Sequence, residues 1–224
     1  KAVEDCHFYR DPRLVSLNEV GGDPDRFGVS MAEFHRSAQV RCRMWPHTMT
    51  TLSTHDTKRG EDVRARIGVL SQVPALWAGQ VGRWETLLPS PDPLTGLFLW
   101  QNIFGVWPAA GVITDQFRAR LHAYTEKAVR EAALRTTWTD PAQEFEEDVA
   151  RWIDGLLDGL HEAGCRRDKA GNRLLHMDQY MALLLLYMFN PICTSLRAIQ
   201  QASELKKVQQ KLGCPRASLS SLSE

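Results

Sequence analysis

The chain has 224 residues, of which 43% are hydrophobic and 24% are charged, and its formal net charge is zero. This composition is that of a folded globular protein, long enough for one domain or two small ones. The balanced charge excludes a chain-wide basic or acidic field that would draw the whole protein onto nucleic acid or an anionic membrane.

The cysteines and the hydropathy pattern favour a cytoplasmic protein. There are five cysteines, widely spaced and without a CxxC pair, which favours reduced thiols over disulfides or a zinc site. The chain begins at Lys1 without a signal peptide, and its longest apolar run is Met181–Phe189. That run is far shorter than the ~20 residues that a membrane-spanning helix needs. We therefore expect a cytoplasmic location and no membrane partner.

Composition divides the chain into two unequal parts. Residues 1–168 carry 20 basic and 24 acidic side chains, whereas residues 169–224 carry 7 basic and 3 acidic ones. The stretch 161–173 is polar, contains glycine and lacks a helical period, which is typical of a linker. We predict one domain over residues 1–160, a junction over 161–173 and a small helical domain over 174–224.

In chain order, the first clear element is a helix over Met31–Met44. Residues 1–30 contain several turn formers and are predicted to form a loop. Ser30 can cap the helix, and Glu33 completes a capping box three residues later. Pro46 marks the end of the helix.

The next segment predicts a strand followed by a helix. Thr48–Thr54 is rich in threonine, which suits strands, and Val63 and Ile67 begin the apolar stripe of an amphipathic helix. Asp56 then stands between the two elements, and two interpretations are open. At a strand end of an α/β barrel its side chain would point into an active site. As the N-cap of the following helix, it would have the more common role of an aspartate there.

The neighbours of Asp56 also have an ordinary interpretation. His55 is expected to be packed or to face solvent. Lys58 and Arg59 would belong to a solvated helix face, paired with Glu61 and Asp62.

The rest of the chain is predicted to be mainly helical. Pro74 ends or kinks the helix that begins near Gly60, and the stretch Trp77–Trp84 continues it. Leu87–Thr95 contains three prolines and is predicted to be a loop. An apolar stripe from Phe117 to Ala128 indicates the next helix.

A further long helix is predicted to begin with Asp140 as N-cap and Pro141 at its first position. The tail indicates three short helices, near Met177–Phe189, Thr194–Ala202 and Glu204–Leu212.

Several motifs, in the same order along the chain, resemble one known family. THDTKRGEDVRAR at Thr54–Arg66 is similar to the segment that holds the third catalytic carboxylate of maltooligosyltrehalose synthases, which belong to the α-amylase superfamily. The segments SLNEVGGDPDRFG (Ser16–Gly28), LWQNIFGVWP (Leu99–Pro108) and AYTEKAVREAALRTTWTDP (Ala123–Pro141) look like the downstream half of the same family. The resemblance covers roughly residues 1–157. It implies an incomplete fragment of a (β/α)8 barrel.

This resemblance implies a chemistry. Maltooligosyltrehalose synthases are isomerases, (1->4)-α-D-glucan 1-α-D-glucosylmutases. They convert the reducing-end α-1,4 linkage of a maltooligosaccharide into an α,α-1,1 linkage, without cofactor or metal. Asp56 maps to the carboxylate that binds sugar hydroxyls and favours the oxocarbenium-like transition state. His55 maps to a histidine that hydrogen-bonds the sugar, and Lys58 and Arg59 are assigned to substrate binding.

The two other catalytic carboxylates of the family belong to barrel strands that would lie upstream of Lys1. A retaining enzyme needs a nucleophile and an acid/base about 5–5.5 Å apart. Glu19, Asp23 and Asp25 fall in a part of the pattern that is not catalytic. We therefore expect no synthase activity from this chain alone, and whether it acts as an enzyme stays open.

Residues 169–224 resemble the N-terminal region of bacterial insertion-sequence transposases of the DDE type, through the pattern LLLLYMFNP…TSLRAIQQASEL. The acidic triad of that family would lie beyond Glu224, so no catalytic residue is carried over. Lys206, Lys207 and Lys211 could contact phosphates, but so small a basic patch gives only weak, salt-sensitive DNA binding. A small helical hairpin explains the tail equally well.

Three functions therefore stay open: an enzyme fragment, a DNA-associated transposase remnant, and a non-catalytic carbohydrate-binding remnant. In the last, Trp100 and Trp107 would stack on sugars, although core packing is the more common role of such residues. A barrel fragment would also expose apolar surface, from which we expect self-association.

Overall fold

The computed structural model describes residues 3–108, 113–167, 195–212 and 216–217. Within these residues the regular elements are helices: α1 (Val3–His7), α2 (Met31–Met44), α3 (Glu61–Val69), α4 (Pro74–Leu87), α5 (Pro93–Val106), α6 (Asp115–Ala132), α7 (Gln143–Arg167), α8 (Leu196–Ser203) and α9 (Lys206–Leu212). A 3-10 turn over Leu70–Gln72 joins α3 to α4. The prediction of a mainly α-helical protein is confirmed for this part of the chain.

Helix α2 has the predicted bounds and Ser30 as its predicted N-cap, whereas the Glu33 carboxylate pairs with Arg26. Ser30 Oγ accepts a hydrogen bond of 3.1 Å from the backbone N–H of Glu33, which satisfies one of the free donors at the helix start. None of its 14 residues is buried. Among the described residues it contributes none to the hydrophobic core, so its cap and its local sequence are its main sources of stability.

The predicted strand at Thr48–Thr54 is wrong, because these residues have no regular structure. A strand requires a partner for its backbone donors and acceptors, and the described part of the chain contains no other strand. The threonine hydroxyls bond locally instead: Thr51 Oγ1 accepts from the backbone N–H of Ser53 at 3.4 Å. Such local bonds offer the backbone an alternative to a strand ladder.

Helix α5 forms the centre of the core and contacts both α3 and α6. It begins inside the stretch that was predicted to be a loop, so that prediction is wrong at its C-terminal end. Asp92 caps the helix by accepting from the backbone N–H of Thr95 at 2.9 Å. Pro93 occupies the first helical turn, where its missing N–H costs nothing.

Tryptophans fill the space between α4, α5 and α7. The rings of Trp84 and Trp100 stack with centroids 4.7 Å apart, and Trp152 meets Trp100 edge to face at 5.4 Å. Trp100 and Trp107 are 2% and 1% exposed. Both belong to the core, so neither offers a face on which a sugar could stack.

The close approach of α3 to α5 requires a glycine. A Cβ atom at Gly105 would lie 2.8 Å from Val63 Cγ1 and 2.9 Å from Ile67 Cγ1. Ile67 is fully buried, so it has little room to move away. This contact fixes α3 against the core and with it the segment that precedes α3.

Helix α7 begins later than predicted, at Gln143, so Asp140 is not its N-cap. Thr136 instead organises the turn: its Oγ1 accepts from the N–H of Ala142 at 3.0 Å and donates to Glu146 Oε1 at 2.5 Å. Helix α7 continues to Arg167, into the predicted junction at residues 161–173. The domain boundary itself stays a prediction.

The tail is described only in part. Helices α8 and α9 agree with the last two predicted helices to within two residues, and Ser195 caps α8 by accepting from the N–H of Ala198 at 3.2 Å. The helix predicted near Met177–Phe189 lies outside the described residues.

Candidate functional site

The segment that carries Asp56 is a closed turn between Thr54 and Thr57. The N–H of Thr54 donates to Thr57 Oγ1 at 2.9 Å, and Thr57 Oγ1 donates to the carbonyl of Thr54 at 2.8 Å. Asp56 has a φ of 66°, in the left-handed region, and its side chain is 55% exposed. Helix α3 begins only at Glu61, with Gly60 as its N-cap. Asp56 is therefore neither at a strand end nor a helix cap.

Lys58 connects this turn to the N-terminal helix. Its Nζ lies 2.6 Å from Asp56 Oδ1 and 3.3 Å from Asp5 Oδ1, and 5.2 Å from the centre of the Phe8 ring. Only 8% of its side chain is exposed. Burial alone would lower the pKa of Lys58, but the hydrogen bonds to Asp56 and Asp5 outweigh it, so the pKa is raised. The same hydrogen bond lowers the pKa of Asp56.

Arg59 is buried and its guanidinium donates to three acceptors of the protein. Nε bonds Asn102 Oδ1 at 2.9 Å, and the two terminal nitrogens bond the carbonyls of Asn18 at 3.0 Å and Phe8 at 3.1 Å. Its Cζ also lies 5.2 Å from the centre of the Phe98 ring. Arg59 therefore joins α5 to the N-terminal loop rather than facing solvent.

Glu19 is a site residue whose role the sequence did not predict. Its Oε1 accepts from the backbone N–H of Lys58 at 2.6 Å and its Oε2 from that of Arg59 at 2.9 Å. The side chain is 6% exposed. The sequence places it beside Gly21 and Gly22 in a loop, but a bond across 39 residues has no local signal.

A cleft of about 210 Å³ opens beside this network. Ten residues line it: Lys58, Arg59, Gly60, Val63, Asn102, Val106, Phe117, Arg120, Leu121 and Tyr124. Tyr124 donates its hydroxyl to Asn102 Oδ1 at 2.8 Å, and burial raises its pKa to about 12. The phenol is therefore neutral at physiological pH. The lining of the cleft combines apolar side chains with the basic residues Lys58, Arg59 and Arg120.

The structure brings together three of the four residues that the sequence singled out. Asp56 and Lys58 are in direct contact, and Lys58 and Arg59 line the same cleft. His55 lies in the same turn as Asp56, with its side chain exposed. The sequence interpretation that places Lys58 and Arg59 on a solvated helix face is wrong, because both precede α3 and are largely buried.

The described residues contain no group of three or more His, Cys, Asp or Glu side chains that could hold a metal ion. Among the same residues, no helix combines the length and the apolar content needed to cross a bilayer.

Fold and site together define a helical segment organised around a buried arginine and an exposed, lysine-paired carboxylate. Segments similar to it occur in maltooligosyltrehalose synthases. Over 159 residues the chain is 65% identical to proteins of two Mycobacterium tuberculosis strains that are described as maltooligosyl trehalose synthases. This match covers 71% of the chain and 21% of each relative, so the chain spans about a fifth of their length. No protein-family model matches the chain.

Solved structures that are similar to the chain come from the same kind of enzyme. The chain is 38% identical to the maltooligosyltrehalose synthase from Arthrobacter ramosus, with a TM-score of 0.64, over 84% of this chain and 24% of that one. A glycosyltrehalose synthase is 32% identical, with a TM-score of 0.63, over 95% of this chain and 26% of that one. The resemblance to maltooligosyltrehalose synthases is thereby confirmed. Nothing in these comparisons supports the transposase resemblance.

Proposed function

We propose that this chain supplies the third-carboxylate segment of a maltooligosyltrehalose synthase, as part of an incomplete (β/α)8 barrel. The reaction would move the reducing-end glucose of a maltooligosaccharide from an α-1,4 to an α,α-1,1 linkage, an isomerisation that leads to trehalose. The observation that carries the proposal is the pair formed by Asp56 and Lys58. It combines an exposed carboxylate with a largely buried ammonium group in a closed turn.

The surroundings of Asp56 suit the stabilisation of a cationic sugar. The hydrogen bond from Lys58 lowers its pKa, so the group stays negatively charged throughout the neutral range. Its exposure leaves the second carboxylate oxygen accessible to sugar hydroxyls. A fixed negative charge favours the positive charge that develops at the anomeric carbon, because the charge is already in place when the bond breaks. His55, exposed in the same turn, would hydrogen-bond the sugar beside it.

Lys58 and Arg59 are proposed to assist substrate binding mainly by position. The Lys58 ammonium group pairs with Asp56 and Asp5, and the Arg59 guanidinium donates to three protein acceptors. Both residues therefore shape the wall of the cleft, and Lys58 also orients Asp56. A direct contact with sugar is open to Lys58, since it lies beside the exposed carboxylate.

We expect no synthase activity from the 224-residue chain alone. Double displacement needs two carboxylates besides Asp56, a nucleophile and an acid/base, both free to act on the substrate. Two carboxylates lie near the site, and both already have partners: Asp5 pairs with Lys58, and Glu19 accepts the backbone N–H groups of Val20, Lys58 and Arg59. Incubation with maltopentaose, followed by chromatography for a non-reducing product, tests this. A trehalose-capped product would contradict it.

Binding of maltopentaose to the purified chain, followed by NMR shifts of the residue 54–60 amides, tests the proposed function. We expect weak binding that is lost in Asp56→Asn, because asparagine also tolerates a left-handed backbone and removes only the charge. Asp62→Asn, six residues away and exposed on α3, is the matched control and should bind as the unaltered chain does. Equal binding by Asp56→Asn and the unaltered chain would refute the role of Asp56.

A further inference from the structure

We infer that Glu19 is a positioning residue, which sets the backbone of Lys58 and Arg59 and through it the orientation of Asp56. Its role for a sugar substrate rests on the proposed function, but its effect on Asp56 does not. The carboxylate accepts the N–H groups of Lys58 and Arg59 at 2.6 and 2.9 Å, one on each oxygen. Oε1 also accepts from the N–H of Val20 at 3.1 Å. Charge-assisted bonds of this kind are stronger than neutral ones.

The loop that carries Glu19 is itself held firmly. The carbonyl of Glu19 accepts from the N–H of Gly22 at 2.7 Å, and Gly21 has a φ of +72°. A Cβ atom at Gly22 would lie 2.3 Å from the carbonyl oxygen of Leu17, so only glycine fits. The buried Glu19 carboxylate therefore has a fixed position, and it bonds the segment that directly follows the exposed Asp56 turn.

Glu19 holds the segment after the Asp56 turn through two contacts, and the first of them leads to Asp56. The N–H of Lys58 fixes where the Lys58 side chain begins, and that side chain ends 2.6 Å from Asp56 Oδ1. The N–H of Arg59 fixes the next peptide, while the Arg59 side chain returns to the Glu19 loop through the carbonyl of Asn18 at 3.0 Å. The loop around Glu19 and the segment that follows the Asp56 turn therefore hold each other in place.

Glutamine cannot replace Glu19 in this arrangement. It offers one amide oxygen, so the second backbone N–H would face an NH2 donor. One of the two N–H groups then loses its acceptor, and the peptide bonds around Lys58 turn to find another. The Lys58 ammonium would move away from Asp56, even where the rest of the fold is retained.

The test compares the carboxyl pKa of Asp56 in Glu19→Gln with that in the unaltered chain, measured from its side-chain 13C shift. We expect the Asp56 pKa to rise toward the ordinary value in Glu19→Gln and to stay low in Asp25→Asn. Asp25 is a matched control, because it lies in the same segment with its side chain 77% exposed. A role limited to global stability would not move the pKa of Asp56 in the folded state. An unchanged Asp56 pKa in folded Glu19→Gln would overturn the inference.

Hydrogen exchange in the unaltered chain gives a second test that needs no variant. The amides of Lys58 and Arg59 should exchange slowly compared with the amides of His55 and Asp56, because a buried carboxylate accepts them. Rapid exchange of both would also overturn the inference, even if Glu19→Gln fails to fold. The affinity for maltopentaose is measured separately, and we expect Glu19→Gln to bind about tenfold more weakly than the unaltered chain. If the unaltered chain binds no sugar, the proposed function fails, while the pKa and exchange results still decide the role of Glu19.

Discussion

Replacement of Arg59 by lysine tests whether the site depends on the buried guanidinium. Arginine offers five donors in a planar fork, whereas lysine presents three on a single nitrogen. From the position of Arg59, one nitrogen can reach one of the three acceptors, Asn102 Oδ1 or the carbonyls of Asn18 and Phe8. Asn102 Oδ1 still accepts from the Tyr124 hydroxyl, so the carbonyls of Asn18 and Phe8 are the acceptors most affected by the loss of donors.

The expected decrease in the free energy of unfolding follows from the number of hydrogen bonds that Arg59→Lys removes. A hydrogen bond to a charged group contributes about 1.5–3 kcal/mol, and two of the three are lost. The contributions of one network are not additive, so we expect the lower end of the sum, about 3 kcal/mol. The total stability of a domain is only about 5–15 kcal/mol, so Arg59→Lys should be strongly destabilised but measurable.

Urea unfolding followed by tryptophan fluorescence measures this loss, because the stacked pair Trp84 and Trp100 lies in the same core. The midpoint should fall with little change in the slope against urea. Arg36→Lys is the control, since Arg36 is exposed on α2, and its effect should stay within about 0.5 kcal/mol. A loss below about 1 kcal/mol for Arg59→Lys, on the scale of a single neutral hydrogen bond, would refute the role given to the guanidinium.

Three further predictions concern the packing of α3 against α5, the ion pair of Glu146, and self-association. Gly105→Ala should lower the free energy of unfolding by about 1–3 kcal/mol through overpacking against α3, whereas Gly82→Ala, which meets open space, should raise it by up to about 1 kcal/mol; urea unfolding measures both. The hydrogen bond from Arg130 lowers the pKa of Glu146, so its stabilisation is present above the unfolded-state pKa and is lost as pH falls through the folded-state pKa. Glu146→Gln should therefore be less stable than the unaltered chain at pH 7 and should lose less stability on acidification, and an unchanged pH profile would contradict this. Phe34→Ser should reduce self-association in sedimentation velocity, because Phe34 is 59% exposed on a helix without buried residues; equal association would place the contact elsewhere.

Local signals predicted the parts of the fold that depend on local bonds. The start of α2 followed from the N-cap Ser30 and its end from Pro46, because both signals lie within a few residues of the helix ends. The start of α5 carried a similar signal in Asp92 and Pro93, but the neighbouring prolines led to a loop prediction. The strand at Thr48–Thr54 was predicted wrongly because threonine propensity is weak without a partner strand.

The candidate site was predicted only in part, because local signals identify only those of its residues that are adjacent in sequence. A short motif indicated Asp56 and its neighbours, since they are adjacent in sequence. The role of Glu19 and the burial of Arg59 depend on contacts across 39 to 51 residues, which no local pattern contains. The cleft beside Tyr124 likewise exists only after α5 and α6 pack together.

The backbone at Asp56 separates the conformation of the turn from its charge. A left-handed φ is easiest for glycine and next easiest for asparagine and aspartate. Among these three, aspartate alone places a negative charge beside Lys58. If that charge is removed by Asp56→Asn, Lys58 keeps Asp5 as a partner, and the bonds between Thr54 and Thr57 still close the turn. The fold therefore depends little on the Asp56 carboxylate. If Asp56 acts on the sugar, Asp56→Asn should lose maltopentaose binding and keep the stability of the unaltered chain.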